Sequence, residues 1–215
     1  MLLVSEQGSP EWFAARKTRI TASRFNEILS GTPAAWNRII SELNGETRAF
    51  SGNEATRWGS RYEDEAISLF ELEENLDVQR TGFHILDKYP DDIGGSPDGL
   101  VGKDSIIEVK CPFNPEIHLK TYREQKIPAK YVAQVQGNLL ITGRRVAWFL
   151  SYDPRQTPDK RLVKILIVRN DKYIDELLFR LLQFVESWKG LTDPIHYFAK
   201  REATDIFDDT LPPLF

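Results

Sequence analysis

Residues 94–110 read GGSPDGLVGKDSIIEVK, two short strand-like runs joined by a turn at residues 102–104. This pattern predicts a β-hairpin. In the second run, the side-chain period of two places Glu108 and Lys110 on the same face of the strand. The hairpin folds Asp98, at the entrance of the first run, back toward that face. The sequence therefore predicts two carboxylates that converge beside a lysine.

The converging carboxylates suit a hard divalent cation such as Mg²⁺, which binds carboxylate and carbonyl oxygens. Asp98 and Glu108 would bind the ion, and the backbone carbonyl of Val109 would add a further ligand. The tripeptide Glu-x-Lys is also common on solvated strand faces, where it forms an ordinary ion pair. The hairpin by itself leaves both interpretations open.

Glu63 favours the metal interpretation because of its place on a predicted amphipathic helix, residues 60–72. Ala66, Ile67 and Phe70 follow it at i+3, i+4 and i+7, so the carboxylate lies on the apolar stripe of that helix. A buried carboxylate requires a cation. The alternative is a side chain at the edge of the stripe that reaches water.

Arg16 and Ser23 lie on either side of a predicted helix start at Thr21. The free N–H groups and the positive dipole end at a helix N-terminus attract an anion. A nearby guanidinium and hydroxyl would complete a phosphate pocket. Alternatively, Arg16 is a surface cation and Thr21 an ordinary helix cap.

Gln134 lies in a predicted helix, residues 128–141, and shares a face with Tyr131 at i, i+3. From that face, its amide could orient a phosphate or a water molecule. A helical glutamine is far more often an ordinary surface residue. Gln134 is therefore a candidate only in combination with the hairpin.

The composition limits the classes of protein and of site. With 215 residues, 41% of them hydrophobic, the chain is long enough for one substantial core. Its one cysteine, Cys111, excludes an internal disulfide, a cysteine-based zinc site and an iron–sulfur cluster. The net charge of −4, from 28 basic and 32 acidic residues, argues against a broadly basic nucleic-acid surface. Local basic clusters could still line a groove.

The order of the predicted elements indicates one layered domain. Helices come first and are followed by strands with interleaved helices, which predicts an α/β or α+β architecture. The predicted strands are residues 82–86, 105–110, 146–152 and 162–169, and the last predicted helix, residues 172–189, should cover one face of the sheet. We expect residues 1–190 to form a single domain and residues 191–215 to be a C-terminal tail.

Targeting signals are missing from the sequence pattern. No apolar run approaches the ~18 residues that a membrane span needs. The first residues, MLLVSEQ, have neither a basic region nor an apolar stretch of the length typical of a secretory signal. We therefore expect a cytoplasmic protein without a membrane partner.

The sequence resembles a known nuclease family. Pro97-Asp98 followed by Glu108-Val109-Lys110 is similar to the PD-(D/E)XK nuclease motif, and the wider pattern resembles the lambda exonuclease and YqaJ-type viral recombinase family. The matching segments, in order, are residues 12–16, 20–23, 58–59 with 62–63, 96–100, 108–113, 131 with 133–136, and 152–155. So ordered a set is much more specific than the nuclease motif alone. The resemblance implies a central mixed β-sheet flanked by helices.

The resemblance also implies a function. It implies a Mg²⁺-dependent exonuclease that degrades one strand of linear double-stranded DNA from a 5′-phosphorylated end and leaves 3′ overhangs. It further implies two Mg²⁺ ions, for which Mn²⁺ could substitute. The assembly would be a ring-shaped homotrimer. Its partner in phage-type recombination, within a bacterial host cell, would be a single-strand-annealing protein. By position, the resemblance implies that Asp98 and Glu108 would bind metal and that Glu63 would assist a second metal. Lys110 would position or activate the attacking water, and Gln134 would lie near the scissile group. The 5′ phosphate would be held by Arg16, Ser23 and Ser96.

Two other functions stay open. One is a PD-(D/E)XK endonuclease of restriction or repair type, and the other is a non-catalytic module that binds DNA ends or a partner. The non-catalytic module is disfavoured because all the carboxylates and the lysine are present. A 5′-phosphate pocket would separate the two enzymes, since an endonuclease has no use for one.

Overall fold

The computed structural model describes residues 2–3, 7–47, 52–89 and 91–190. The strands in these ranges are β1 (Leu2–Leu3), β2 (Ile20–Thr21), β3 (Val78–Gln79), β4 (Phe83–Ile85), β5 (Ile93–Gly95), β6 (Gly99–Val101), β7 (Ser105–Lys110), β8 (Val146–Tyr152) and β9 (Leu162–Val168). The α-helices are α1 (Pro10–Lys17), α2 (Phe25–Leu29), α3 (Pro33–Leu43), α4 (Glu54–Glu74), α5 (Pro115–Glu124), α6 (Ala129–Thr142) and α7 (Asp171–Lys189). No helix in the described ranges is both long enough and apolar enough to cross a lipid bilayer.

A five-stranded mixed sheet with the order β3-β6-β7-β8-β9 holds the predicted hairpin near its centre. β6 and β7 pair antiparallel, with Gly99 opposite Ile107, as the sequence predicts. β7 and β8 run parallel, with Glu108 opposite Phe149, because α5 and α6 form the crossover between them. The predicted mixed α/β fold is confirmed.

Helices cover both faces of β7. On one face, Ile107 and Val109 join an apolar cluster with Ala66, Ile67 and Phe70 of α4. The alternate side chains of β7 face α6. The period of two therefore places Ile107 and Val109 on one face, and Glu108 and Lys110 beside the buried Ile106 on the other.

A second sheet has the order β1-β4-β5-β2, and the sequence analysis anticipates only β4, which lies within the predicted strand of residues 82–86. Its strands are two or three residues long, too short for a recognisable alternation. β4 and β5 approach so closely that a Cβ on Gly94 would overlap the Phe83 ring. β5 leads directly into Ser96 and Asp98, so this small sheet sets the start of the hairpin.

The first helix follows its capping signals, but the second does not. Ser9 caps α1 by accepting a hydrogen bond from the backbone N–H of Trp12 at 3.2 Å. The helix predicted to start at Thr21 is instead β2, a 3₁₀ turn over Ala22–Arg24, and the five-residue α2. The reason is that Thr21 pairs in the strand with Gly94, while its hydroxyl bonds to Ser23 rather than capping a helix.

The last helix, α7, begins and ends near the predicted residues and stops at Gly190 in the left-handed conformation. It was expected to cover the sheet, but it packs mainly on α2 and α6. Its apolar stripe meets Phe25 and Ile28 of α2 in a cluster separate from the clusters on β7. The predicted tail, residues 191–215, lies outside the described residues, and the proposed domain boundary at residue 190 stays a prediction.

Candidate active site

Asp98 is held at the mouth of the hairpin by the backbone of β7. Its N–H donates to the carbonyl of Ile107 at 3.0 Å, and its Oδ2 accepts from the N–H of Val109 at 2.7 Å. The residue is buried. Local pairing of two adjacent strands is therefore enough to aim this carboxylate along β7 toward Lys110.

Glu108 is fully buried and surrounded by donors. Its Oε1 accepts from the Lys110 Nζ at 2.6 Å and from the Gln134 Nε2, and its Oε2 accepts from the Asn138 Nδ2 at 2.9 Å. Both amides come from α6, which crosses the polar face of β7. Gln134 thus lies at the predicted site, in direct contact with a proposed metal ligand.

Glu63 reaches the same site from α4. Its Oε1 accepts from the Arg80 Nη1 at 3.3 Å, and its side chain is 25% exposed, which places it at the edge of the apolar stripe. Arg80 also donates to the carbonyl of Asp98 at 3.4 Å and pairs with Asp64. Arg80 therefore links Glu63 to the hairpin that carries Asp98.

Burial shifts the charge balance of these groups. Burial raises the pKa of Glu63 to about 7, with a further increase from Asp98, and it raises the pKa of Glu108 to about 7 and that of Asp98. Burial alone would lower the pKa of Lys110, but attraction to Glu108 and Asp98 outweighs it and raises that pKa. Burial therefore disfavours the charged form of all three carboxylates.

The donor set fits a hard divalent cation by its chemistry. Asp98, Glu108 and Glu63 are oxygen donors, and a divalent ion would offset the desolvation that now disfavours their charge. Within the described ranges, no three or more His, Cys, Asp or Glu side chains are already gathered at ligating positions. Glu63 in particular is engaged by Arg80.

Arg16 and Ser96 lie together through Trp12. The Arg16 guanidinium stacks on the Trp12 ring at 4.1 Å, and the Trp12 Nε1 donates to the Ser96 Oγ at 2.9 Å. Burial and the neighbouring Arg24 lower the pKa of Arg16 to about 10. No carboxylate within the described part of the chain forms an ion pair with Arg16.

Ser23 is exposed on the 3₁₀ turn, with its Oγ 3.0 Å from the Thr21 Oγ1. The expected long helix does not start here, so the dipole contribution to the predicted phosphate pocket is smaller than the sequence analysis assumes. The predicted phosphate pocket therefore depends on the Ser23 hydroxyl and the Arg16 guanidinium.

Two functional neighbours were missed by the sequence analysis. Asn138 binds the second oxygen of Glu108, and its position four residues after Gln134 would have placed both on one helical face. The other is Arg155, which donates to Asp153 at 2.7 Å and to the carbonyls of Pro112 and Phe113. Four of its five N–H groups are used within the protein.

A cavity of about 500 Å³ opens beside Lys110, between the start of α4 and the loop after β7. Its walls include Thr56, Gly59, Glu63, Lys110, Phe113 and Tyr131. Lys130 lies at its rim, with its Nζ 4.8 Å from the Tyr131 ring. Three of the predicted site residues, Glu63, Val109 and Lys110, therefore share one opening to solvent.

Solved structures with the same fold are exonucleases. An alkaline exonuclease from Laribacter hongkongensis is 29% identical, with a TM-score of 0.78 over 91% of this chain and 98% of that one. The same exonuclease in complex with dAMP is 30% identical, with the same TM-score and coverage. A phage related exonuclease from Haemophilus somnus 129PT, at 18% identity and a TM-score of 0.66 over 86% of this chain and 96% of that one, shares the fold.

The sequence comparisons define the family. No curated protein sequence matches the chain significantly. The model of the YqaJ-like viral recombinase domain matches residues 11–145, which include the hairpin, Arg16, Glu63 and Gln134. This match spans more than half of the chain, and the predicted resemblance is thereby confirmed. The chain belongs to the YqaJ-like viral recombinase domain family.

Proposed function

We propose that the protein is a Mg²⁺-dependent exonuclease that digests one strand of linear double-stranded DNA from the 5′ end and leaves 3′ overhangs. The coarser assignment, a DNA exonuclease and hence a hydrolase, follows from the family and from the exonucleases that share its structure. One observation carries the finer proposal. Asp98, Glu108 and Lys110 meet at one end of β7, and Arg16, a cation without a carboxylate partner in the described ranges, acts electrostatically on both carboxylates.

Asp98 and Glu108, with the carbonyl of Val109, would hold one Mg²⁺, and Glu63 would contribute to a second; Mn²⁺ would serve in the same ligand set. When bound, the ions supply Lewis acidity at the phosphate and lower the pKa of a water molecule. Within the protein, Lys110 is positively charged because two carboxylates raise its pKa. It is therefore placed to position or activate the attacking water.

Gln134 and Asn138 position the glutamate. Because each donates an amide N–H to a different oxygen of Glu108, the carboxylate cannot rotate freely. A carboxylate held in one orientation loses less entropy when it binds a metal. Gln134 is only partly buried, so its remaining amide groups can also contact the substrate near the scissile phosphate.

The 5′ polarity of the proposal depends on Arg16, Ser23 and Ser96. Arg16 is oriented by its stacking on Trp12 and offers a fork of donors that suits a terminal phosphate. Ser96 is two residues from Asp98, so a phosphate held there would lie next to the hydrolytic groups. The Laribacter enzyme binds dAMP, a nucleoside monophosphate, and we expect this protein to release mononucleotides with 5′ phosphates.

The assembly in this proposal is a ring-shaped homotrimer, whose closed symmetry would keep duplex DNA threaded. A single-strand-annealing protein would take up the exposed 3′ strand, in the cytoplasm of a bacterial host. Family membership supports these assignments, and the mass of the particle in solution tests the first of them.

The deciding experiment compares linear and relaxed circular duplexes, with 5′-phosphoryl or 5′-hydroxyl ends, in Mg²⁺, Mn²⁺ and EDTA. We expect digestion only of linear DNA with metal present, and faster digestion of phosphorylated ends. A 3′-labelled strand should shorten progressively, whereas a 5′-labelled strand should lose its label at once. Asp98→Asn should be inactive, and Asp91→Asn, which changes an exposed aspartate, should behave as wild type.

Cleavage of circular DNA would instead identify an endonuclease. Equal rates on phosphorylated and hydroxyl ends, or normal discrimination by Arg16→Gln, would remove the phosphate pocket from the proposal. Metal-independent digestion would contradict the role given to Asp98 and Glu108.

A further inference from the structure

Phe113 is an exposed aromatic residue three positions after Lys110. It is 42% exposed, and it lines the same cavity as Lys110 and Glu63. The ring packs on the protein only in part, so much of its apolar surface faces the cavity instead of being buried. The exposed ring is therefore a candidate for contact with a ligand in the cavity.

The backbone of this loop is held in place from a distant segment. Arg155 donates to the carbonyl of Phe113 at 3.1 Å and to the carbonyl of Pro112 at 3.2 Å. The guanidinium is itself fixed by Asp153, which is fully buried and accepts from the Arg155 Nε at 2.7 Å. The loop is thus preorganised before any ligand arrives.

The ring of Phe113 is also oriented. It meets Trp58 edge to face, with ring centroids 5.8 Å apart and an interplanar angle of 80°. Trp58 in turn contacts Tyr62 at 4.6 Å and is covered by the Arg155 guanidinium at 4.5 Å. Phe113 therefore presents an aromatic surface to the cavity at little further cost in side-chain entropy.

The remaining walls of the cavity indicate what it binds. Lys110 and Lys130 place positive charge around the opening, and Tyr131 adds a second aromatic ring. Cations beside exposed aromatic rings are the combination that binds single-stranded nucleic acid, because phosphates meet the cations and bases stack on the rings. The cavity is continuous with the proposed hydrolytic site through Lys110 and Glu63.

We propose that Phe113 stacks on a nucleobase of the DNA strand that enters the active site. This role rests on the proposed nuclease function and names a substrate contact of that site. Arg155 is a positioning residue for the stacking ring. Four of its five N–H groups donate to Asp153 and the loop carbonyls, so we assign it to holding the loop and not to binding a phosphate.

The test is a binding cycle that combines Phe113→Leu with abasic nucleotides. The probe is a 5′-phosphorylated duplex whose first three nucleotides are unpaired, and binding is measured by fluorescence anisotropy in EDTA so that no cleavage occurs. Base stacking on an aromatic side chain corresponds to about 5-fold to 150-fold in affinity. We expect Phe113→Leu to weaken binding within that range and Phe113→Tyr to bind like wild type.

An abasic nucleotide at one of the three positions should abolish the difference between wild type and Phe113→Leu. The matched control is Phe179→Leu, which changes a phenylalanine of similar exposure, 39%, on α7. The stacking role is overturned if Phe113→Leu binds as tightly as wild type, or if its loss is the same at every abasic position. If wild-type protein degrades DNA and Phe113→Leu binds the probe as tightly as wild type, only the stacking role is wrong. If wild-type protein neither binds nor degrades DNA, the nuclease proposal and the stacking role are both wrong.

Discussion

On one face of β7, Ile107 and Val109 pack in an apolar cluster against α4. On the other face, Glu108 and Lys110 form an ion pair whose carboxylate also receives amides from α6. The two sets of side chains alternate along six residues of a single strand. Structural and chemical roles are therefore separated by the direction of a side chain and not by distance along the chain.

The difference between the faces predicts different consequences of mutation. Side chains on the apolar face contribute to the free energy of unfolding through burial and packing. The carboxylate on the polar face is expensive to bury and is tolerated because donors surround it. Changes on the apolar face should therefore lower stability, and changes on the polar face should lower the rate of DNA hydrolysis.

The largest effect is expected for Glu108→Gln. This change keeps the shape of the side chain but removes the charge that would bind metal, and we expect the rate to fall by at least about 10³-fold, or about 4 kcal/mol. The measurement is the initial rate on linear duplex DNA, with circular dichroism to confirm folding. Glu124→Gln, on the exposed surface of α5, is the matched control and should keep the wild-type rate. Near-normal turnover by Glu108→Gln would contradict the chemical role that we assign to the polar face of β7.

Phe70→Ala tests the apolar face. Phe70 is fully buried in the cluster beneath Ile107 and Val109, so its removal should lower the free energy of unfolding by about 3–4 kcal/mol, as measured by urea denaturation. At a temperature where the variant is folded, its hydrolysis rate should stay within about 3-fold of wild type. Leu72→Ala, on the same helix but 79% exposed, should cost less than about 0.5 kcal/mol. A folded Phe70→Ala protein without activity would contradict the separation of structural and chemical roles between the two faces of β7.

Asn138→Ala sharpens the comparison because it changes the support of the carboxylate and not the carboxylate itself. Loss of a hydrogen bond to a buried charge should cost about 1.5–3 kcal/mol of stability. Loss of the orienting amide should slow hydrolysis by about 10-fold to 100-fold. Urea denaturation and initial rates measure the two quantities on one preparation. If only stability changes, Asn138 is a packing residue and Glu108 is oriented by Gln134 and Lys110.

The smallest effect concerns His84, a buried polar residue of the second sheet. Its Nε2 lies 2.7 Å from the Thr81 Oγ1, and burial, together with the N-terminal amine and Arg144, lowers the pKa of His84 to about 4. Because the unfolded chain takes up this proton near pH 6.5 and the folded protein does not, stability is complete above pH 6.5 and falls as the pH decreases toward 4.

Between pH 6.5 and 5.5 this proton should cost about 1 kcal/mol of stability. The measurement is urea denaturation at both pH values for wild type and for His84→Gln, which removes the titrating group. The difference between the two pH values should be smaller in the variant by that amount. An identical pH dependence would show that folding does not lower the pKa of His84.

Periodicity and capping signals were sufficient for the long elements. The hairpin of β6 and β7, residues 99–110, and the helix that stops at Gly190 follow from local patterns, since each contains enough residues to display its period. Residues 94 and 95 of the predicted hairpin belong instead to β5 of the second sheet. β1, β2 and β5 have two or three residues and exist through pairing with distant strands, so no local pattern reveals them. α5 was missed although Asn114 and Pro115 carry its capping signals.

The sequence by itself determined the juxtaposition of Asp98, Glu108 and Lys110, because a hairpin and a period of two are local geometry. Only the tertiary structure decided which groups meet this strand from elsewhere. Asn138 reaches Glu108 because α6 crosses the polar face of β7, and Arg155 holds the loop of Phe113 instead of facing solvent as part of a basic cluster. These contacts join residues 30 and 42 positions apart, and such pairs depend on how helices and strands pack rather than on the spacing of residues along the chain.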